Sequence, residues 1–346
     1  MKHGGDILSC QQLYNGPIVD FSSNINPLGY PKILDELIPQ GLSALTAYPD
    51  MYYRALRCSI ADYLGCQPDQ VLVGNGSMEI LEHFCREAKR VVICIPSFSE
   101  YEERALVHRK AVRKIPFAED FTLTARLLDG ELREGDVLIA GNPNNPNGLR
   151  IAQPELEEIQ QLAERQKAFL VLDEAFFEFC PDDYDSIQLF SGKKNVCVIR
   201  AATKFFGLPG LRLGYACAVE AVARCYADSA LPWRINAFAD LAGRSIFTQD
   251  DYIRRSKKLI EEQRRWMLAQ LKLLKGVQVF PTDSNFILVR LLELDEDELF
   301  KQLIRKGLMI RKASSFEGLG KDFVRIAVKN PADNQRLLTA LQAADC

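Results

Sequence analysis

Between about residue 70 and residue 220 the chain alternates short apolar runs with stretches of helical spacing. Val71-Leu72-Val73, Arg90 to Ile95 (RVVICI), Asp136 to Ala140, Ala168 to Leu172 (AFLVL) and Asn195 to Arg200 (NVCVIR) read as buried strands. Between them, MEILEHFCREA (Met78 to Ala88) and Pro154 to about Gln166 read as helices, the second with Leu156, Ile159, Leu162 and Ala163 at helical spacing. Strands that are apolar throughout need cover on both faces, and intervening helices supply it. The expectation is an α/β fold with a mostly parallel central sheet.

Past Leu231-Pro232-Trp233 the rhythm changes. A long helical stretch, Asp251 to Leu274, precedes strand patterns at Val277 to Phe280, Asn285 to Arg290 and Phe323 to Ile326, with helices at Asp295 to Lys306 and Pro331 to Ala344. Such segregation suggests a smaller α+β domain. The organisation expected is an N-terminal segment over 1–30, a large domain over 31–235 and a small domain over 236–346. A further helix, Tyr53 to Leu64, ends at Gly65. In the long helix, Arg254, Arg255, Lys257, Lys258, Arg264 and Arg265 interleave with Glu261 and Glu262, the pattern of a solvated face.

Composition narrows the function classes. A net charge of −3 over 346 residues gives no reason to expect a nucleic-acid partner. No apolar run approaches the ~20 residues of a membrane span. The opening MKHGGDILSC lacks the apolar core of a signal peptide, so a cytoplasmic protein is expected. The ten cysteines include no C-x-x-C pair and there are three histidines, so we expect reduced core thiols and no metal site.

The chemistry-bearing residues stand at the seams of this pattern. Gly74-Asn75-Gly76-Ser77 joins a strand to a helix, where free N–H groups can hold a phosphate, although it matches neither common phosphate-loop signature. Asn142-Pro143-Asn144-Asn145-Pro146-Asn147-Gly148 is a specific turn with Asn side chains free to act as donors. Asp173-Glu174 follows an apolar strand, at the end where open α/β sheets bind ligands, but an acidic pair there could equally cap the next element. Asp20 to Gly29 (DFSSNINPLG) reads by itself as a structural turn. Lys204 follows the strand NVCVIR, and Arg212 lies beyond a Gly207-Leu208-Pro209-Gly210 break. Burial and a cationic neighbour would lower the proton affinity of such a lysine and make it a nucleophile toward an aldehyde.

Together these groups fit a phosphorylated pyridine aldehyde. Lys204 would bond the aldehyde, and Asp173 would pair with the protonated ring nitrogen. Gly76, Ser77 and Met78 would offer backbone donors to the phosphate, with the Thr203 hydroxyl and the Arg212 charge. Asn145 would donate to the ring hydroxyl and Phe98 would stack on the ring.

The order G-N-G-S, N-P-N-N-P-N-G, D-E-A-F-F-E-F, T-K and L-P-G-L-R-L-G-Y resembles the fold type I, class II-type aminotransferases that use pyridoxal phosphate, over nearly the whole chain. Two subfamilies share these motifs: histidinol-phosphate aminotransferases, and the threonine-phosphate decarboxylases that supply aminopropanol phosphate for the nucleotide loop of cobalamin. H-G-G-D, D-F-S-S-N-I-N-P-L-G, L-P-W-R-I-N-A-F-A-D-L-A-G, I-R-K-A-S-S-F-E-G-L-G and V-R-I-A-V-K-N-P-A-D-N resemble the second group. So does Phe176, at a cofactor-contacting position where the aminotransferases usually carry tyrosine. The missing hydroxyl forfeits one hydrogen bond, worth ~1 kcal/mol net, too little to redirect a reaction alone. The resemblance implies decarboxylation of an O-phospho-amino acid, phosphothreonine or phosphoserine, with histidinol-phosphate transamination as the alternative. It further implies that Arg325 takes part in binding the substrate carboxylate, that His3, Asn24 and Arg311 hold the substrate phosphate, and that Asn145 also contacts the substrate. Tyr48 would reach the cofactor phosphate of a neighbouring subunit, which implies a homodimer with shared sites.

Overall fold

The structure, a computed structural model, describes residues 3–344. Eight strands precede residue 220: β1 (Val19–Asp20), β2 (Val71–Asn75), β3 (Arg90–Ile95), β4 (Ala111–Pro116), β5 (Asp136–Gly141), β6 (Phe169–Asp173), β7 (Val196–Ala201) and β8 (Leu213–Ala218). All but β1 form one sheet in the order β2-β8-β7-β6-β5-β3-β4, in which β8 alone runs antiparallel to its neighbours. The continuous apolar runs follow from burial on both faces. Leu170 and Leu172 pack into one core and Val171 into the other; Leu138 and Ile139 divide in the same way.

Every strand pattern picked out before residue 220 is present, within a residue or two at the ends. Two strands lack the apolar signature. β4 forms the sheet edge, where Arg113 and Lys114 point to charged partners, Glu131 and Glu317. β8 holds two small residues, Gly214 and Ala216, between its apolar ones and follows the Gly-Pro-Gly break directly.

Later in the chain come β9 (Val277–Val279), β10 (Phe286–Leu291), β11 (Leu308–Met309), β12 (Arg311–Lys312) and β13 (Phe323–Ala327). Four of them form an antiparallel sheet, β12-β13-β10-β9. The N-terminal segment is tied to this part of the molecule. β1 pairs in parallel with β11, and the Phe21 carbonyl accepts from the Ala327 N–H at 2.9 Å.

The long helix spans Asp250–Leu271. Arg254, Arg255, Lys258 and Arg265 stand in solvent as expected, and Lys257 pairs with Asp182. Arg264 departs from that reading. It lies on the same stripe as Ile260, Met267 and Leu271, so it is buried, and its guanidinium donates to the carbonyls of Phe179 (2.9 Å) and Ser284 (3.3 Å). Of the described cysteines five are buried, Cys66 and Cys217 are half-buried, and Cys58 and Cys225 are exposed rather than in the core; Cys346 lies outside the described residues.

The acidic pair at the end of β6 divides. Asp173 turns toward the strand ends, while Glu174, fully buried, turns under the sheet. Its carboxylate accepts from Arg200 Nε (3.0 Å) and Nη2 (2.9 Å), from Asn142 Nδ2 (2.8 Å) and from Ser186 Oγ (2.5 Å). Arg200 also stacks over Phe177 at 3.8 Å. Arg200 also pairs with Asp185 (2.9 Å), but losing Glu174 would take away its fully buried, two-pronged partner. Glu174→Ala should therefore cost about 3–5 kcal/mol in urea unfolding, and the double change Glu174→Leu with Arg200→Met should be less destabilising than that single one. Equal losses would mean that the ion pair is not what this corner depends on.

Candidate active site

At the carboxyl ends of β5, β6 and β7 lies a cavity of about 300 Å³. The structure brings His3, Asn24, Ser77, Met78, Phe98 and Asn145 into its wall, together with Asp173, Phe176, Thr203, Lys204, Arg212, Arg311 and Arg325. Gly76 stands behind the wall. Tyr48 does not reach it, being 79% exposed with its ring 4.5 Å from that of Trp233.

Lys204 sits just past β7, its backbone pinned by the N–H groups of Asn26 (3.0 Å) and Gly207 (3.3 Å). Burial, then the charge of Arg325, pulls its proton affinity down to about 8; Asp20 opposes this, and Lys329 and Arg212 reinforce it. On the neighbouring strand, Asp173 takes the Ala175 N–H on Oδ1 (3.1 Å) and the Tyr101 hydroxyl on Oδ2 (2.7 Å). Burial raises its proton affinity and those two donors hold it back.

A seat for a doubly charged group lies alongside. Gly76, at φ +81°, begins the helix Ser77–Glu87 without a side-chain cap, and the first N–H groups of a helix have no partner within it. A Cβ at Gly76 would run into the Arg212 guanidinium, and one at Gly214 would meet the backbone of Gly76 and Ser77. The seat is thus backbone, close-packed and glycine-dependent. Arg212 closes it from a left-handed conformation, φ +63°, that L-residues rarely adopt.

The asparagine-rich turn is mostly structural, contrary to the expectation of free donors. Asn142 is spent on Glu174, Asn144 on the Pro96 carbonyl (3.0 Å) and Asn147 on the Phe121 carbonyl (3.2 Å). Asn145 faces the cavity. Its side-chain oxygen accepts from Arg325 Nη1 at 2.5 Å, which leaves its amide nitrogen as the donor. Phe98 and Phe176 supply ring faces, and Lys204 Nζ lies 6.0 Å from the Phe176 centroid.

The far wall is cationic. Arg311 and Arg325 oppose each other across β12 and β13, a cross-strand pairing that puts like charges side by side. Both are buried. Arg311 donates to Ser315 Oγ (2.5 Å) and Arg325 to the Ser22 carbonyl (2.6 Å), while Arg325 Nε has no partner. Burial and the charge of Arg311 pull Arg325 down to about 9. Asn24 is buried with its side-chain oxygen unpartnered. His3 Nε2 lies 3.1 Å from Glu100, and the glycines after it press on Ser22: Gly5 donates to Ser22 Oγ at 2.9 Å, and a Cβ at Gly4 would strike the Ser22 carbonyl.

Tyr101, Ser22, Ser23, Ser315 and Phe316 also line the cavity and were not singled out in the sequence. Tyr101 was detectable: it follows Phe98 by three residues at the start of a helix, a spacing that returns to the same face. Among the described residues no cluster suited to a metal ion occurs, and no helix is long and apolar enough to cross a membrane.

A deprotonation-prone lysine facing a carboxylate, beside a helix N-terminus and an arginine, defines a pyridoxal-phosphate site at the strand ends of an α/β sheet. The chain belongs to the aminotransferase class I and II family, whose model matches residues 16–341. That family works with pyridoxal 5'-phosphate, and the residues described here fit it. A protein of Caldanaerobacter subterraneus subsp. tengcongensis, provisionally named a threonine-phosphate decarboxylase, is 38% identical over 99% of this chain and 93% of its own. The crystal structure of the histidinol-phosphate aminotransferase from Clostridium acetobutylicum superposes with a TM-score of 0.90 at 33% identity, covering 94% of this chain and 98% of that one. That of L-threonine-O-3-phosphate decarboxylase from Porphyromonas gingivalis gives 0.83 at 29%, covering 94% and 99%.

A lysine held near 8 is neutral at pH 7 in roughly one molecule in ten, against about one in three thousand for an ordinary lysine. The neutral amine is the nucleophile, so reactivity grows as pH rises through that value. Cofactor-free protein mixed with pyridoxal 5'-phosphate should bind it, followed by absorbance, at a rate climbing from about pH 6.5 to about pH 8.5 and then flattening. A rate still climbing at about pH 10 would mean an ordinary amine.

Proposed function

We propose that this enzyme decarboxylates an O-phospho-L-amino acid for assembly of the cobalamin nucleotide loop. The substrate would be L-threonine O-3-phosphate, giving (R)-1-aminopropan-2-yl phosphate, or L-serine O-phosphate, giving ethanolamine phosphate. The reading is carried by the charge of the cavity: Lys204, Arg212, Arg311 and Arg325 face a single lining carboxylate, Asp173. Arg212 stands beside the seat for the cofactor phosphate, and the two buried guanidiniums of the far wall suit a ligand with two separate anions. A phospho-amino acid carries a carboxylate and a phosphate.

In this reading Arg325 holds the carboxylate, and Arg311 with Asn24 and His3 holds the phosphate. Ser77, Met78 and Thr203 would join Arg212 on the cofactor phosphate, Asp173 would pair with the ring nitrogen, and Phe98 would cover a ring face. Asn145, whose side-chain oxygen accepts from Arg325, would donate to the ring oxygen. Pyridoxal 5'-phosphate, when bound, supplies a conjugated ring that accepts the electron pair left at Cα. Anchoring of carboxylate and phosphate by Arg325 and Arg311 would set which Cα bond is presented for cleavage, and in this reading it is the bond to the carboxylate. Lys204, whose amine lines the cavity, would be the group placed to return a proton to Cα. The exposed apolar strip of Leu42, Leu45, Tyr48, Met51, Tyr52, Leu231 and Trp233 supports a homodimer in which Tyr48 serves the partner's cofactor.

Histidinol-phosphate transamination is the second reading, favoured by the likeness to the Clostridium acetobutylicum aminotransferase. One experiment separates them. Phosphothreonine and phosphoserine should release CO2, and histidinol phosphate with 2-oxoglutarate should give no comparable glutamate; the reverse outcome would replace the proposal. Arg311→Ala should raise KM for the phosphorylated substrate by about 10- to 100-fold and leave a phosphate-free analogue little changed. Equal losses on both would remove Arg311 from phosphate binding.

A further inference from the structure

We propose that Tyr101 is a positioning residue for the cofactor: its hydroxyl fixes the Asp173 carboxylate in the orientation and ionised form that the cofactor's ring nitrogen requires. Tyr101 is 2% exposed and enters the helix Glu100–Val107 at its second residue, with its N–H on the Phe98 carbonyl at 3.1 Å. The hydroxyl donates to Asp173 Oδ2 at 2.7 Å. The same ring stands edge-on to Phe98, centroids 5.7 Å apart and planes at 90°. One side chain therefore touches both the carboxylate and the aromatic face expected against the cofactor ring.

The need for such a donor follows from where Asp173 sits. An enclosed carboxylate is driven toward its neutral form, and a neutral acid cannot balance a protonated ring nitrogen. Two donors oppose this: the Ala175 N–H on one oxygen and Tyr101 on the other. Ala175 belongs to the same turn and follows Asp173 whatever it does. Tyr101 arrives from a separate helix, so it sets the carboxylate's direction as well as its charge. Among the described residues no other side chain donates to Asp173. This inference concerns the cofactor seat and holds for decarboxylation and transamination alike.

The test is Tyr101→Phe, which removes the hydroxyl and keeps the ring. Full-length variant and parent are stripped of cofactor and titrated with pyridoxal 5'-phosphate, following the absorbance of the bound form, and the cofactor-free proteins are compared by thermal unfolding. The dissociation constant should rise about tenfold or more while the cofactor-free melting temperature stays with the parent. In an Asp173→Asn background the same change should add little, because the carboxylate it serves is gone. A dissociation constant within about twofold of the parent, or a full effect persisting in the Asp173→Asn background, would overturn the proposal. A loss in melting temperature of the cofactor-free protein matching the loss in affinity would also overturn it, since the hydroxyl would then be serving the fold.

Discussion

The parallel pairing of β6 with β7 is the constraint on which the site depends. The register sets Asp173 opposite Ile199, so both strands leave the sheet at the same end, and Lys204 emerges a few residues past the carboxylate's neighbour. Parallel strands can be adjacent only if the chain crosses over between them, which places their carboxyl ends together and opens a crevice there. The buried ion pair of Glu174 and Arg200 locks this end of the sheet from beneath, joining the residue after Asp173 to the strand that carries Lys204. A lysine and an acid 31 positions apart in the numbering, 204 − 173, are thereby held as one unit.

The electrostatics of the cavity follow from that enclosure. Bringing Lys204, Arg311 and Arg325 together out of water is unfavourable, and the lowered proton affinities of the lysine and of Arg325 are the cost expressed in each group. A cavity so arranged favours anions and a neutral lysine amine in the same space. Both serve a site that must bind a phosphorylated aldehyde through that amine. Asp20 tempers the repulsion from below, where it also accepts from Ser22 N–H (2.8 Å) and Ser22 Oγ (2.6 Å) and so shapes the loop that carries Asn24.

Much of this was legible in the sequence because the parallel sheet writes itself in uninterrupted apolar runs and the site lies where those runs stop. Lys204, Asp173 and Ser77 are each found by walking off the end of a strand. What escaped is what periodicity does not encode. β4 carries charges because it is an edge, and β8 has a glycine at 214 because its backbone there packs against that of Gly76 and Ser77. Arg264 broke the expectation for a basic face since a guanidinium can be buried when carbonyls receive it, and a charge pattern does not say which member of it meets carbonyls. The asparagines of the turn look equivalent as letters. Only their three-dimensional partners separate Asn145 from Asn142, Asn144 and Asn147.

The two halves of the site have different structural origins, and this bears on how one scaffold hosts different reactions. The proposed cofactor seat draws on strand ends of the large sheet and one helix N-terminus: Ser77, Asp173, Thr203, Lys204 and Arg212. The cationic wall comes from elsewhere, with Arg311 and Arg325 on the antiparallel sheet and Asn24 and His3 on the N-terminal segment that β1 ties to it. His3 spans the gap to Glu100 at the entrance of the Tyr101 helix. A change in the wall can therefore re-aim a substrate while leaving the seat as it is. In the proposed reading, substrate orientation decides which bond breaks, so the wall rather than the seat is where decarboxylation and transamination would be told apart. A single hydroxyl in the seat, such as the one absent at Phe176, is too small a difference to do it.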